Sequence, residues 1–406
     1  MKVFLALICL FMGMSVYGQT SEVRPYKDWE TIAFCTYESY HPSQYARIDN
    51  NWELLYTLRT PMSLKELEER GVAFTNSQII LLHIGGLIEN ENNVLKTVMP
   101  IFNEEQTKSI RTLSKGIAQS AYSQSEKEWS TFLKELKRQK LTKNAYSLVF
   151  SYVLDGKIWK KQLPSYEKLT NNATWKGAYW ALYDKRQNGS SYGTNGFNRM
   201  FYQTWSDSLS YWLGSKTIFS FVEEYKQHGK IVSKDLLDKC MEWGLVNKQG
   251  DVIIPIINED SDSQIVQISD RIVAKLAACV SQYSSDFMKE YQLANENLAK
   301  VVLYHEVMWD MLDVLVGEKI ITQPDILKGS PNANKKDFGQ IVYIVGGVNK
   351  WATKFTSLPI VISMLSGSRL FLFLEKTFYL VDRIFCGVSH LIHFVHLAGS
   401  LNGWGG

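Results

Sequence analysis

His305-Glu306 and Asp310 bring an imidazole and two carboxylates onto one stretch of chain, with Glu306 and Asp310 four residues apart and so on one face of a helix. Such a group can move protons or hold a metal. A solvated helix face often carries the same residues without any catalytic duty, and the expectation here is a surface cluster on a structural helix. His390, His393 and His396 recur every third residue, along one side of a helix. No carboxylate accompanies them and only Cys386 offers a thiol, so a weakly polar stripe on an apolar helix is expected rather than a metal centre. Residues 188–196, Asn-Gly-Ser-Ser-Tyr-Gly-Thr-Asn-Gly, are dense in turn formers and read as a loop. Aromatics flank it, among them Trp175, Tyr179, Trp180, Tyr183, Phe201, Tyr202, Tyr211 and Trp212. Most should be core residues, but exposed rings stack on sugars or anchor a protein. Tyr192, Asn195, Phe197 and Trp205 are therefore the candidate ligand-binding residues.

Familiar catalytic signatures are missing. There is no His-Glu-x-x-His, Gly-x-Ser-x-Gly, phosphate-binding loop or Cys-x-x-Cys, and Gly346-Gly347 is a lone glycine pair. Nothing calls for a cofactor, a metal or a catalytic residue.

The elements that would position these side chains repeat. Ser63-Leu64-Lys65-Glu66 is a capping box opening a short helix that ends at Gly71, and Thr75 caps a second helix over 76–84 that stops at Gly85-Gly86. A turn at 90–93 and a return strand at 94–102 follow. In the second half a helix over 218–228 ends at Gly229, Ser233 caps a helix over 234–243, Gly244 ends it, 248–251 turn and 252–257 return. Gly71 and Gly229, Thr75 and Ser233, and Gly86 and Gly244 keep one offset. Val98-Met99-Pro100-Ile101-Phe102-Asn103-Glu104-Glu105 aligns with Ile253-Ile254-Pro255-Ile256-Ile257-Asn258-Glu259-Asp260. Each copy then predicts a long amphipathic helix (107–122, 265–283), an aromatic-rich helix (145–159, 298–315) and a late strand (177–183, 339–345). The place in the first copy that matches His305-Glu306, near Ser151-Tyr152, has no such groups.

Helix, turn, helix and two-stranded ribbon, over 63–102 and 218–257, resemble a winged helix. A winged helix that binds DNA needs basic or amide side chains on its second helix. Residues 76–84 contain no Lys or Arg, and Lys234 and Lys239 are accompanied by Asp235 and Asp238. A nucleic-acid partner is not expected. Winged helices also dock proteins.

Lys2, the apolar run 3–16 and Val16-Tyr17-Gly18 read as a secretory signal peptide, the alternative being an uncleaved anchor for which the run is short, so the mature chain should begin at Gln19, outside the cytoplasm. A net charge of +3 is too small to imply a polyanionic partner. After the signal, Cys35, Cys240, Cys279 and Cys386 remain. Their spacing fits no metal site; Cys240 and Cys279 could bridge, but free buried thiols are expected. From 357 to 406 the only acids are Glu375 and Asp382. This tail associates with membrane, packs as apolar helices, or is not selected sequence; all three stay open.

The expected fold class is helix-rich α+β, with two repeated units, each a winged-helix-like helix-turn-helix and ribbon followed by long helices. The expected division is 1–18 signal, 19–50 N-terminal extension, 51–212 first unit, 213–350 second unit and 351–406 tail. The expected function is an exported, non-catalytic binding or scaffold protein with a protein or glycan partner in the envelope. The alternative is a secreted or periplasmic hydrolase acting on glycan or peptide.

Overall fold

Side-chain caps set where the first helices begin. Ser63 with Glu66, Thr75 with Gln78 and Asn103 with Gln106 each close a reciprocal capping box. In the last, Gln106 N donates to Asn103 Oδ1 at 2.9 Å and Asn103 N donates to Gln106 Oε1 at 3.0 Å. Each such cap satisfies N–H groups that no helical carbonyl can reach and contributes about 1 kcal/mol.

The computed structural model describes residues 23–37, 40–170, 172–186, 192–197, 201–206, 214–259, 263–328 and 342–346. In chain order the elements are β1 (Glu30–Tyr37), α1 (Pro42–Ala46), α2 (Asn51–Thr57), β2 (Met62–Ser63), α3 (Leu64–Glu69), α4 (Asn76–Ile84), β3 (Ile88–Glu91), β4 (Val94–Thr97), β5 (Ile101–Phe102) and α5 (Glu104–Arg138). There follow α6 (Ala145–Ser147), a π-helix (Leu148–Lys157), α7 (Ile158–Lys161), β6 (Trp175–Leu182), β7 (Tyr192–Phe197), β8 (Phe201–Ser206), α8 (Ser215–His228) and α9 (Lys234–Glu242). The last are β9 (Ile256–Asn258), α10 (Gln264–Ser281), α11 (Ser284–Glu290), α12 (Glu296–Gly317) and β10 (Val342–Gly346). The fold is helix-rich α+β with three small sheets.

The sheets have the orders β1-β6-β5, β2-β4-β3 and β7-β8-β10-β9. β1 runs antiparallel to β6 over its whole length, from Glu30 opposite Leu182 to Tyr37 opposite Trp175. β5 lies parallel on the other side of β6, Ile101 opposite Ala181. Residues 19–50 thus contribute a full strand to the first sheet. β8 is antiparallel to β10, and β9 is parallel to it, Ile256 opposite Ile344.

Several expectations are corrected. Residues 94–102 are not one strand. Pro100 has no N–H to give to a ladder, and the chain breaks between β4 and β5. Residues 252–257 break likewise: Val252 makes an isolated bridge to Val246, and β9 starts after Pro255. The helix read over 107–122 is α5, with 35 residues and a length of about 50 Å. The loop read at 188–196 is strand from Tyr192 onward, and its hairpin joins β10 and β9 rather than the first sheet. The strand holds Gly193 and Gly196, and glycines in a strand imitate loop composition.

Two apolar cores result. The smaller gathers Trp29, Trp52, Leu54, Leu55, Leu82 and Leu95 around the short helices and the β2-β4-β3 ribbon. The larger joins α5, the π-helix, α10 and α12, with Trp129, Phe132, Phe150, Ile272, Tyr304 and Leu312 inside. Trp175, Tyr179, Trp180 and Tyr202 are buried, as expected of core aromatics. Cys35, Cys240 and Cys279 are free thiols. Burial pushes the Cys35 thiol up to about 11 and Cys240 up to about 12, which keeps both in the unreactive protonated form near neutrality. Among the described residues no helix is long and apolar enough to cross a membrane. The segment read as a signal, the tail, Cys386 and His390, His393 and His396 lie outside the described residues.

Candidate functional site

The His305-Glu306-Asp310 group sits on α12, but not at the surface. Glu306 is fully buried and Asp310 nearly so. Arginines from elsewhere in the chain reach both. Arg186, just beyond β6, places Nη2 at 2.9 Å from Glu306 Oε2 and Nη1 at 3.0 Å from Asp310 Oδ1. Arg111 of α5 donates from Nε to Glu306 Oε2 at 3.2 Å and from Nη2 to Glu30 Oε2 at 2.7 Å. The Arg186 backbone N–H also reaches Glu30 Oε2, at 3.1 Å. The Ser114 hydroxyl donates to Asp310 Oδ2. Trp309 Nε1 donates to His305 Nε2 at 3.2 Å, so the His305 proton sits on Nδ1, 3.0 Å from Glu306 Oε1.

This arrangement separates the two glutamates. Burial works to raise Glu306, but the His305 hydrogen bond and the Arg186 and Arg111 charges outweigh it and hold the carboxyl well below the usual range. Glu30 is raised instead, by burial and by the Glu306 charge across Arg111. Both carboxylates are buried and ion-paired within the fold. The cluster ties α12 to α5, β1 and the end of β6.

A second polar group lies on the π-helix. π-Turns widen a helix and often mark functional sites. Here the widening is visible where Ile158 N–H reaches back to Val153 O. Half-buried Asp155 accepts from Trp159 Nε1 at 2.9 Å. Thr194 of β7 donates to Ser151 Oγ at 2.9 Å, and Ser151 and Thr204 share a hydrogen bond of 2.5 Å. Burial raises Asp155 to about 6, against the lowering effects of the Thr194 hydrogen bond, His305 and the Trp159 hydrogen bond. A carboxyl raised in the folded state favours folding while protonated. That contribution is complete below the ordinary aspartate value and is lost as pH rises through about 6. Asp155→Asn should therefore raise stability above pH 6, by up to about 3 kcal/mol, and leave it unchanged near pH 4. Thermal melts of both proteins at pH 4 and pH 7.5 check this.

The third feature is a groove of about 1680 Å³ beside α2, the ribbon and the start of α5. Arg59 stands half-buried in its wall. Its guanidinium lies 4.9 Å from the Tyr56 ring centroid and donates from Nη2 to Gln106 Oε1 at 3.0 Å. Arg47 lies over Tyr26 in the same way, at 5.2 Å. Among the described residues neither arginine has a carboxylate within 4 Å. Five acids also line the groove, Asp49, Glu53, Glu69, Glu89 and Glu290; of these Glu89 pairs with Lys96 and Glu69 with Lys65.

The candidate residues Tyr192, Asn195 and Phe197 fall in β7 and Trp205 in β8, by their backbones. Their side chains lie outside what is described. Among the described side chains of β7 and β8, Thr194 and Thr204 meet the polar group on the π-helix. The sequence reading did not single out Arg59, Arg111, Arg186 or Asp155. Among the described residues no group of three or more His, Cys, Asp or Glu side chains is placed to hold a metal ion. No protein family, curated protein or solved structure matches this chain.

Proposed function

We propose that this chain is an exported, non-catalytic binding protein, made of two copies of one winged-helix-like unit, that holds a carboxylate-bearing protein or glycan partner in the groove beside Tyr56 and Arg59. The Arg59 guanidinium carries the reading. Stacked on Tyr56 and tethered by Gln106, it is already ordered and half-desolvated, and among the described residues no carboxylate pairs with it. An incoming carboxylate can take its free N–H groups in a bidentate pair at little further entropic cost. The sequence of residues 1–18, read as a signal peptide, supports a partner in the envelope or beyond.

The duplication rests on matched hydrogen bonds. Gly86 and Gly244 end α4 and α9 with φ of 65° and 67°, and the next N–H returns five residues in both, Leu87 to Leu82 O and Leu245 to Cys240 O, each at 2.9 Å. Gly71 and Gly229 close the preceding helices with φ of 72° and 69°. After Pro100 and Pro255 come β5 and β9, each parallel to a late strand that is flanked on its far side by an antiparallel one. Thus β1-β6-β5 corresponds to β8-β10-β9.

Calorimetric titration tests the binding site with two probes, tetragalacturonate and a tetraglutamate peptide. At least one should bind with Kd below about 1 mM, and Arg59→Gln should weaken it about tenfold, near 1.4 kcal/mol. Failure of both probes, or an unchanged Kd in the variant, contradicts the assignment. Asp155 favours a second reading, a hydrolase acting on glycan or peptide, because a carboxyl near 6 can give up a proton close to neutrality. That reading requires a hydrolytic activity that Asp155→Asn abolishes.

A further inference from the structure

The walls of the groove carry as much negative as positive charge. Arg24, Arg47, Arg59, Arg70 and Lys96 supply five cations, against the five carboxylates named above. The two signs have not cancelled by pairing. Arg47 and Arg59 lie over tyrosine rings. Asp49 and Glu53 are exposed, and among the described residues neither has a cation within 4 Å. Glu53 precedes Tyr56 by three residues in α2, which makes it a neighbour, on the helix surface, of the ring that carries Arg59. The aromatic rings of the groove are occupied as well. Tyr26 lies under Arg47 and meets Trp52 edge-on, with centroids 5.2 Å apart. Tyr56 lies under Arg59 and packs against Trp29 at 5.5 Å. Trp52 is buried, and Tyr291 packs on Phe102 and Phe287 at 5.6 Å and 4.7 Å.

We propose that the groove takes a polypeptide segment in which acidic and basic side chains alternate, and not an acidic glycan. The inference rests on the reading of Arg59 as a carboxylate site. A polyuronate or an all-acidic peptide that reaches Arg47 and Arg59 must also carry carboxylates past Asp49 and Glu53, where like charges repel. A segment of mixed charge gives its carboxylates to the arginines and its ammonium groups to Asp49 and Glu53, so both signs on the wall find partners. A sugar would need an open aromatic face to stack on, and the rings here are held by arginines and by one another. The size of the groove agrees with a chain as occupant. Its volume of about 1680 Å³ exceeds the ~300–1,000 Å³ of ordinary small-molecule pockets.

The experiment titrates the full chain calorimetrically at low salt with three probes of equal length: an octapeptide of alternating glutamate and lysine, octaglutamate, and octagalacturonate. The alternating peptide should bind at least about tenfold more tightly than either polyanion. In Asp49→Asn/Glu53→Gln the two peptides should move in opposite directions, the alternating one weakening about tenfold and octaglutamate tightening. Both positions are exposed and both changes keep side-chain size, and matched thermal transitions of variant and wild type show that the fold is kept. A polyanion that binds the wild-type chain as tightly as the alternating peptide overturns the proposal, and octagalacturonate in that role returns the groove to a glycan. An equal loss of both peptides in the variant overturns it too. Arg59→Gln separates the two levels of the argument. If no probe responds to it, the carboxylate site at Arg59 fails and this inference fails with it. If the probes respond but the alternating peptide has no advantage, the mixed-charge partner alone fails.

Discussion

Arg186→Met should destabilise the protein by about 3–5 kcal/mol, measured as a lowered urea midpoint at pH 7. The side chain is 12% exposed and bridges Glu306 to Asp310, while its backbone N–H holds Glu30. Methionine fills a similar volume, so packing is nearly kept and the loss reports the charges. Removing the guanidinium leaves Glu306 with Arg111 and His305 only, and leaves Asp310 with the Ser114 hydroxyl. A buried carboxylate short of partners costs far more than the intact pair contributes. The pH dependence has a definite sign. Glu306 is held low in the folded chain, so its contribution is present above the ordinary glutamate value and is lost as pH falls toward the folded one. The difference between wild type and Arg186→Met should therefore shrink below about pH 4. A difference of less than 1 kcal/mol at pH 7 would mean that the cluster is solvated and does not tie the halves of the fold.

Gly177→Ala should be the most damaging small substitution, with a loss above about 3 kcal/mol. Gly177 has φ of 129°, which L side chains rarely adopt. A Cβ there would lie 2.1 Å from Phe34 O and 2.7 Å from Cys35 Cα, both backbone atoms of β1. No rotamer change can relieve that contact; β1 and β6 would have to separate. The expected result is a lower melting temperature with faster amide exchange confined first to residues 30–37 and 175–182. An alanine variant that melts with the wild type would refute the close approach of these strands.

Local signals in the sequence recovered local structure. The capping box at Ser63, the cap at Thr75 and the glycines that end α3, α4, α8 and α9 stood where they were read, because the hydrogen bonds they make close within five residues, whereas Ser233 gives its hydroxyl to Glu224 and makes no side-chain cap. Residues 76–84 form α4 as read. The reading missed interactions between distant residues. Arg111 and Glu306 are 195 residues apart, and Glu30 and Arg186 are 156 apart. His305, Glu306 and Asp310 were legible as a group, but burial depends on what packs over α12, and nothing near Asp310 announces Arg186. The π-helix escaped for a related reason: an aromatic-rich helix over 145–159 was expected, and the segment that widens packs against β7, β8 and α10, which lie far away in the sequence. β7 was misread because its glycines and asparagine match turn composition, while its partner strand lies beyond a break in the pattern.

The groove was invisible at the sequence level for the same reason. Arg59 and Gln106 stand 47 residues apart, and nothing in the local sequence marks the contact of Tyr56 in α2 with Arg59 just past its end. The claim that the partner sits there, and not over the Ser151–Thr194–Asp155 group, can be put to the protein in its native cells. A photo-crosslinking p-benzoylphenylalanine is placed at Tyr56 in one strain and at Thr194 in another, and both are irradiated. The account predicts a covalent adduct from position 56 and none from position 194, with the adduct at 56 lost when Arg59 is also replaced by glutamine. An adduct from position 194 alone would contradict it and move the functional site to the π-helix.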